Sequence, residues 1–269
     1  MEKQYHDDFT VQEMIVVAGA RTLPDNKVIF AGTGLPMVAI TLAQLKYGPG
    51  IVPVFEAGAV GPSLSCGLPL SVGDSRTTYK ANYLLGLNSA FELTQRGFAD
   101  FGFIGGAEID PYGNLNSTMM GDFNDSYQKP KTRLPGSGGA SDMACSCEQT
   151  IIIMVHEKRR FNEKLSYVTS PGYLDGSPNA RWNAGLAGQG PYRVITTKAI
   201  LGFDDETRRM KLIATLPGET VNSVQDATGF ELIIPDDVYP FEPPTVEEIH
   251  LIREVIDPRG YFVKKKIKQ

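Results

Sequence analysis

The chain has 269 residues, a net charge of −5, and 42% apolar and 21% charged residues. A chain of this length buries enough surface to sustain a large core, and these fractions argue against intrinsic disorder. The acidic balance argues against a nucleic-acid-binding protein, because phosphate contacts need concentrated positive charge.

The first half of the sequence alternates between predicted strands and helices. A capping box at Thr10-Val11-Gln12-Glu13 opens a helix that runs to about residue 23. Apolar runs then predict strand 27–31, helix 37–45, strand 51–56, helix 79–95 and strand 101–104. This order is typical of a parallel sheet with right-handed crossovers.

The second half changes to consecutive strands. Residues 151–155 predict another core strand, and residues 193–197, 199–203 and 210–216 predict an antiparallel meander. Thr220 caps a short helix, and a capping box that begins at Thr245 starts a helix to about residue 256. We therefore expect one α/β domain over residues 1–269. Its fold is an open, mostly parallel sheet flanked by helices, with the antiparallel meander in its C-terminal half.

The N-terminus lacks the basic and apolar regions of a secretory signal, and no apolar run approaches the roughly 20 residues that cross a bilayer. Three cysteines cannot form a disulfide framework in a chain of this size, which favours a reducing compartment. We therefore expect a cytoplasmic protein.

Glu56 is the foremost candidate for chemistry. Ligands of open α/β sheets collect beyond the carboxyl ends of the strands, and Glu56 directly follows an apolar strand and precedes a small-residue turn. A carboxylate in that position is partly desolvated and can act as a nucleophile or a base. The alternative is structural, since such a carboxylate can also simply accept hydrogen bonds from neighbouring loop amides.

A glycine-rich loop at residues 135–140 is the second candidate. Its backbone N–H groups can approach an oxyanion or a phosphate without hindrance from side chains. It is neither a Walker motif nor a dinucleotide-binding GxGxxG sequence. From the sequence alone, a tight structural turn is about as well supported as a binding loop.

The histidines and cysteines are weaker candidates for a functional role. His156 follows the strand at 151–155 and is expected to be a surface residue at a strand end. Cys145 and Cys147 have the spacing of one face of a strand, but no second Cys or His pair completes a zinc site, so we expect no metal. Cys66 has no sequence neighbour that would activate its thiol.

Together, several segments resemble the B subunit of a class I coenzyme A transferase. The resemblance rests first on residues 55–58, 71–74 and 103–118. Residues 130–133, 136–140, 156–161 and 167–172 resemble more narrowly the glutaconate branch of that family. The similarity is dense from about residue 28 to residue 175, and the combination of segments is specific to the family. The fold implied is the CoA-transferase, sugar-phosphate-isomerase-like one.

The resemblance implies a role for each candidate. The glutamate that matches Glu56 attacks an acyl-CoA thioester and, through a mixed anhydride, becomes a glutamyl-CoA thioester. A second carboxylic acid, a glutaconate-type dicarboxylate in this branch, then takes the CoA. By matching motif, Gly138 and Gly139 of the glycine loop supply oxyanion stabilisation. The coenzyme A thioester is a substrate, and no tightly bound cofactor is expected.

The resemblance also implies a partner, a related A subunit that pairs with this chain in an (AB)₂ assembly, with no nucleic-acid or membrane partner. Two alternatives remain. Relatives of the same shape include hydrolases that cleave a C–C bond of cyclic CoA thioesters, and the chain can also be a non-catalytic binding subunit. Glu56 and the glycine loop favour the transferase.

Overall fold

The computed structural model describes residues 4–121 and 127–264. The chain packs into two compact units, one formed by Met1–Phe103 with Glu242–Gln269 and the other by Ile104–Phe241. Each unit has its own buried apolar core. The expectation of one domain over residues 1–269 stays a prediction.

Parallel strands flanked by helices build the first unit. Its elements up to residue 104 are α1 (Val11–Thr22), β1 (Val28–Ala31), α2 (Leu35–Lys46), β2 (Val52–Phe55), β3 (Ala59–Val60), β4 (Tyr83–Leu84), α3 (Leu87–Gln95) and β5 (Phe101–Ile104). Strand β1 pairs in parallel with both β2 and β5. Strands β3 and β4 extend the sheet in antiparallel fashion beyond β2. The parallel core predicted from the strand–helix alternation is confirmed.

The capping box at Thr10 forms as predicted. The Thr10 hydroxyl accepts the Glu13 N–H, and the Glu13 carboxylate accepts the Thr10 N–H at 2.7 Å. The following helix is buried along residues 13–20. Arg253 reaches the buried Glu13 side chain at 2.6 Å, which compensates the charge that the helix buries.

The helix predicted over residues 79–95 is wrong in its first half. A 3₁₀ turn, Ser75–Thr78, precedes strand β4, and helix α3 begins only at Leu87. Two features stop the helix from extending backwards. Lys80 has a positive φ of 50°, and the Leu85 N–H is used by the carbonyl of Gly58 rather than by a helical turn.

Short strands and a longer sheet build the second unit. Its elements are β6 (Glu108–Ile109), β7 (Leu115–Asn116), β8 (Met119–Met120), β9 (Thr132–Arg133), α4 (Ala140–Ser146), β10 (Gln149–Met154), α5 (Ala180–Asn183), β11 (Gly190–Thr196), β12 (Ala199–Phe203), β13 (Met210–Thr215), α6 (Val221–Asp226) and β14 (Tyr239–Pro240). Strands β10 and β11 are parallel, whereas β11, β12 and β13 form successive antiparallel pairs. The predicted meander is therefore confirmed.

The chain returns to the first unit with α7 (Val246–His250), which continues as a π-helix, Leu251–Ile256. Its predicted capping box forms between Thr245 and Glu248. Glu248 also receives two hydrogen bonds from Arg21 of α1, at 2.8 and 2.7 Å. Across the described residues, the helices are too short or too polar to cross a membrane.

Candidate active site

Glu56 occupies the first position of the turn that connects β2 to β3. The strand before it is buried up to Phe55, whereas Glu56 itself is half-buried and Ala57 is exposed. The turn is closed by a hydrogen bond from the Gly58 N–H to the Phe55 carbonyl at 2.8 Å. A buried strand followed by a fixed turn therefore presents the carboxylate at the carboxyl end of β2.

The Glu56 carboxylate has no hydrogen-bond or ion-pair partner within residues 4–121 and 127–264. Other carboxylates of the same unit are engaged: Asp74 accepts bonds from Arg76, and Asp100 ion-pairs with Lys27. The structural alternative for Glu56, an acceptor for loop amides, is therefore not the arrangement found in the described part of the chain. Its oxygens are open to a reacting partner.

The glycine-rich loop lies in the second unit, between β9 and α4. Gly136 and Gly138 have positive φ angles of 99° and 50°, and a Cβ at either would meet nothing within 4 Å. The loop is anchored at one end by the Gly136 N–H, which donates to the Ser117 carbonyl at 2.8 Å. At the other end, the Ala140 N–H donates to the Ser137 carbonyl at 3.0 Å.

Between these anchors, the N–H groups of Gly138 and Gly139 find no acceptor among the residues that the structure describes. Gly138 is exposed, whereas Gly139 is buried and stands immediately before α4. Two neighbouring unused amides in one loop can donate to an oxyanion. Glu56 belongs to the first unit and these two glycines to the second.

The expectation that His156 is a surface residue is wrong. The side chain is 2% exposed, stacks on Phe161 at 4.2 Å between ring centroids, and has a threonine hydroxyl within 3.0 Å of each ring nitrogen. Burial, with a smaller contribution from the Lys198 charge, lowers the pKa of His156 to about 4. The imidazole is thus a neutral part of the core. Its partners, Thr196 and Thr228, are distant in sequence, so no local pattern could reveal the burial.

Cys145 lies in α4 and is partly buried, and Cys147 caps that helix and is buried. Burial raises the pKa of both thiols, that of Cys147 to about 12. In residues 4–121 and 127–264, no cluster of three or more His, Cys, Asp or Glu side chains is arranged to hold a metal ion.

Glu108 and Asn116 belong to a segment that carries the family resemblance, but their sequence pattern assigns neither of them a role. Both are buried, on the paired strands β6 and β7, and the Asn116 amide donates to the Glu108 carboxylate at 2.5 Å. The signal available in the sequence was a carboxylate and an amide that face each other on two short strands joined by residues 110–114. Asn116 also bonds to Thr118 and Met119, which lie in the turn that is hydrogen-bonded to the glycine loop.

The coenzyme A transferase family matches residues 12–227 of the chain. The chain belongs to the coenzyme A transferase family. The membership predicted from the motifs is confirmed, and so is the expectation that the protein is an enzyme of the CoA-transferase type.

Two CoA-transferase subunits are similar to almost the entire chain. It is 41% identical over 268 residues to the B subunit of glutaconate CoA-transferase from Acidaminococcus fermentans, a match that covers 96% of this chain and 97% of the relative. It is 35% identical over 246 residues to the B subunit of 3-oxoadipate CoA-transferase from Pseudomonas knackmussii, a match that covers 91% and 92%. The chain is therefore a B-type subunit of a CoA-transferase.

The fold agrees with a solved CoA-transferase. The crystal structure of glutaconate coenzyme A-transferase from Acidaminococcus fermentans matches with a TM-score of 0.89 at 39% identity, covering 97% of this chain and 100% of that chain. The predicted α/β architecture is thereby confirmed.

Proposed function

We propose that this B-type subunit moves CoA from an acyl-CoA to a carboxylic acid, with Glu56 as the nucleophile. The observation that carries the proposal is the Glu56 carboxylate itself. It stands at the carboxyl end of a buried strand, on a turn fixed by the Gly58 N–H, and is without a partner in the described residues. A carboxylate on a fixed turn, with no cation or N–H group of the described residues bound to it, is suited to attack a thioester carbonyl.

The proposed reaction has two matched halves. A Glu56 oxygen adds to the thioester carbonyl, the C–S bond breaks, and CoA thiolate leaves from a mixed anhydride. The thiolate then attacks the glutamyl carbonyl of the anhydride, which releases the first carboxylate and leaves a glutamyl-CoA thioester. The second carboxylic acid takes the CoA by the same steps in reverse, so no group is lost to water.

Gly138 and Gly139 are the proposed oxyanion donors. Each carbonyl addition places negative charge on an oxygen, and two unused N–H groups in a loop of fixed conformation are suited to receive it. Removing one such donor costs on the order of 3 kcal/mol of transition-state stabilisation in other enzymes. The loop needs no metal or tightly bound cofactor for this role, and coenzyme A enters as a substrate.

A dicarboxylate of the glutaconate type is the proposed acyl group or acceptor. Two relatives that cover more than nine tenths of the chain are named for glutaconate and for 3-oxoadipate. Both compounds carry a second carboxylate at the far end of the acyl chain. A shared dicarboxylate class is thus the simplest substrate assignment for this chain.

The proposed partner is an A subunit, in an (AB)₂ assembly. The relatives are named as B subunits, and this chain has an apolar edge of the kind that a partner covers. Strand β4 ends the sheet, and Tyr83 and Leu84 are 68% and 62% exposed although they lie on opposite faces. A sheet edge that is apolar on both faces is a typical site of association.

The size and place of this edge fit such a partner. With Tyr79, Leu85 and Leu87 it exposes roughly 500 Å² of apolar surface, a large part of the about 800 Å² that each partner buries in a stable interface. The Leu85 N–H is bonded to the Gly58 carbonyl at 2.8 Å. A protein that covers the edge would therefore sit beside the Glu56 turn.

The deciding experiment traps the covalent intermediate. The chain is co-expressed with its A subunit, incubated with glutaryl-CoA or glutaconyl-CoA without an acceptor, and treated with borohydride, which reduces a glutamyl thioester. We expect irreversible loss of transferase activity, with the reduced residue mapping to Glu56. Steady release of CoA into water without trapping would instead support a hydrolase, and no turnover with intact CoA binding would support a non-catalytic binding role.

Two substitutions sharpen this test. Glu56→Asp withdraws the carboxylate by more than about 1 Å, a displacement that costs on the order of 100-fold in rate. Glu92→Gln, an exposed glutamate on α3 of the same unit, is the matched control and should turn over normally. Normal transfer by Glu56→Asp would exclude Glu56 as the nucleophile.

A further inference from the structure

A buried hydrogen-bond network begins at Glu108, which is 4% exposed. Its carboxylate accepts bonds from the Asn116 amide at 2.5 Å, the Asn162 amide at 3.1 Å, and the N–H and hydroxyl of Ser166, both at 3.4 Å. In the described part of the chain these neutral donors are its only partners. A buried carboxylate held by neutral donors alone orients those donors strongly.

Asn116, which is fully buried, connects Glu108 to the turn at residues 117–119. Its amide N–H₂ also donates to the Met119 carbonyl at 2.6 Å, while its Oδ1 accepts the Thr118 N–H at 3.0 Å and the Met119 N–H at 3.4 Å. One side chain thus binds both the donors and the acceptor of the turn at residues 117–119. Glu108 fixes the amide in the orientation that makes this possible.

Thr169 supports the same turn from a separate segment. Its Oγ1 accepts the Ser117 N–H at 2.9 Å and lies 2.7 Å from the Thr118 hydroxyl. It also lies 3.5 Å from the Asn116 Oδ1. The turn is therefore held from two sides, by Asn116 and by Thr169.

The turn at residues 117–119 is hydrogen-bonded to the start of the glycine loop. The Ser117 carbonyl accepts the Gly136 N–H at 2.8 Å, and the Thr118 carbonyl accepts the Leu134 N–H at 2.9 Å. Immediately beyond, β8 and β9 pair with Met119 opposite Arg133. The position of the Gly138 and Gly139 amides thus depends on carbonyl groups that the network orients.

From these contacts we infer that Glu108 and Asn116 are positioning residues, which set the place of the oxyanion donors without touching substrate. The inference rests on the proposed function, since it assumes that Gly138 and Gly139 act on the oxyanion. Donors must lie within a few tenths of an ångström of their ideal place to stabilise a transition state fully. Loosening the network should therefore slow the chemical step and leave ground-state binding of acyl-CoA intact.

The test compares two buried asparagines of one hairpin in the assembled A–B enzyme. Asn116→Ala removes the bonds to the turn, and we expect kcat to fall on the order of 10- to 100-fold with KM for acyl-CoA within twofold of the parent. Asn114→Ala is the matched control. The Asn114 side chain is equally buried, but it bonds to Asp110, Gly172 and Leu174, which are not part of the turn or the glycine loop. It should retain the parental kcat.

Hydrogen exchange supplies a readout that does not depend on activity. The Leu134 and Gly136 amides should exchange at least tenfold faster in Asn116→Ala than in the parent and remain protected in Asn114→Ala. If Asn116→Ala does not assemble, Thr169→Val removes the second support at a partly exposed position and should change exchange and kcat in the same direction.

The outcomes separate the two claims. Unchanged exchange in Asn116→Ala, or an equal loss of kcat in both asparagine variants, would overturn the positioning role. Faster exchange in Asn116→Ala with the parental kcat would also overturn the positioning role, because the turn would then be loosened without any effect on catalysis. Failure to trap CoA on Glu56 would count against the proposed function while leaving the exchange result interpretable.

Discussion

Gly58 and Leu85 lie backbone to backbone, so closely that a Cβ on Gly58 would come within 1.9 Å of the Leu85 carbonyl oxygen. The Leu85 N–H donates to the Gly58 carbonyl at 2.8 Å, and Gly58 has a φ of 112°, where residues with a side chain are strained. The turn that carries Glu56 is thus joined to the apolar edge strand through a position that only glycine can occupy.

Gly58→Ala should therefore destabilise the protein by about 3 kcal/mol, from backbone strain and overpacking together. Because the turn must move to admit the methyl group, transfer activity should fall by more than the loss of folded protein explains. Urea unfolding and turnover per folded molecule measure the two effects. Gly73→Ala is the control, since a Cβ there meets nothing within 4 Å. An equal effect of both substitutions would contradict this account.

Leu84→Glu places a charge in the middle of the apolar edge. We expect at least a tenfold weaker association with the A subunit and little change in the stability of this chain, because the side chain is 62% exposed. Sedimentation of mixed subunits measures the association. Leu45→Glu, at a 54% exposed position on α2, is the matched control and should assemble normally. Normal assembly of Leu84→Glu would exclude this edge as the interface.

The features that the sequence predicted well depend on residues close together in the chain. The capping boxes at Thr10 and Thr245 each need only two side chains three residues apart, and both form. Strand 199–203 was predicted with its observed bounds, because an apolar run between polar turns has few other solutions. The place of Glu56 at the end of β2 follows from the same kind of pattern.

The features that the sequence missed depend on distant partners. Residues 79–86 were predicted as the first half of a helix, but Tyr83–Leu84 form a strand and the Leu85 N–H bonds to Gly58, 27 positions earlier. His156 is buried by Thr228, 72 residues later. The Glu108–Asn116 network matters because Thr169 and Gly136 converge on the same turn. Tertiary contacts of this kind override local propensity.

Glu248→Gln should destabilise the first unit by about 3 kcal/mol. The Glu248 side chain is fully buried, and the substitution leaves the Arg21 guanidinium, only 17% exposed, without its ion-pair partner. Thermal unfolding measures the loss. Glu247→Gln, whose side chain is 67% exposed in a surface ion pair with Lys46, is the neighbouring control and should cost less than about 1 kcal/mol.

The same ion pair predicts a pH dependence at acid pH. Burial acts to raise the pKa of Glu248, but hydrogen bonds from Arg21, Tyr47 and the Thr245 backbone outweigh it, and the pKa lies below its ordinary value of 4.5. The stabilisation is therefore complete above pH 4.5 and is lost as pH falls through the lowered folded value. The difference in unfolding free energy between parent and Glu248→Gln should shrink over that range. A difference that stays constant with pH would contradict the ion-pair account.

The buried His156 side chain should give the free energy of unfolding a second pH dependence, at higher pH than that of Glu248. The Thr196 hydroxyl lies 2.9 Å from Nδ1, donates to the Ala199 carbonyl at 2.8 Å, and accepts the N–H groups of Lys198 and Ala199. The Thr228 hydroxyl donates to the Val224 carbonyl, so its oxygen accepts from Nε2. Within hydrogen-bond distance in the described part of the chain, the ring nitrogens meet these two hydroxyls and no carboxylate, so burial disfavours the charged imidazole.

Because burial lowers the pKa of His156 from 6.5 to about 4, the unfolded chain takes up the proton first as pH falls. The parent should lose up to about 3 kcal/mol of unfolding free energy between pH 6.5 and pH 4, and His156→Gln should lose that much less over the same range. Urea unfolding at successive pH values measures the difference. His250→Gln, at an exposed position on α7, should follow the parent curve. Parallel curves for His156→Gln and the parent would show that the buried imidazole does not set this slope.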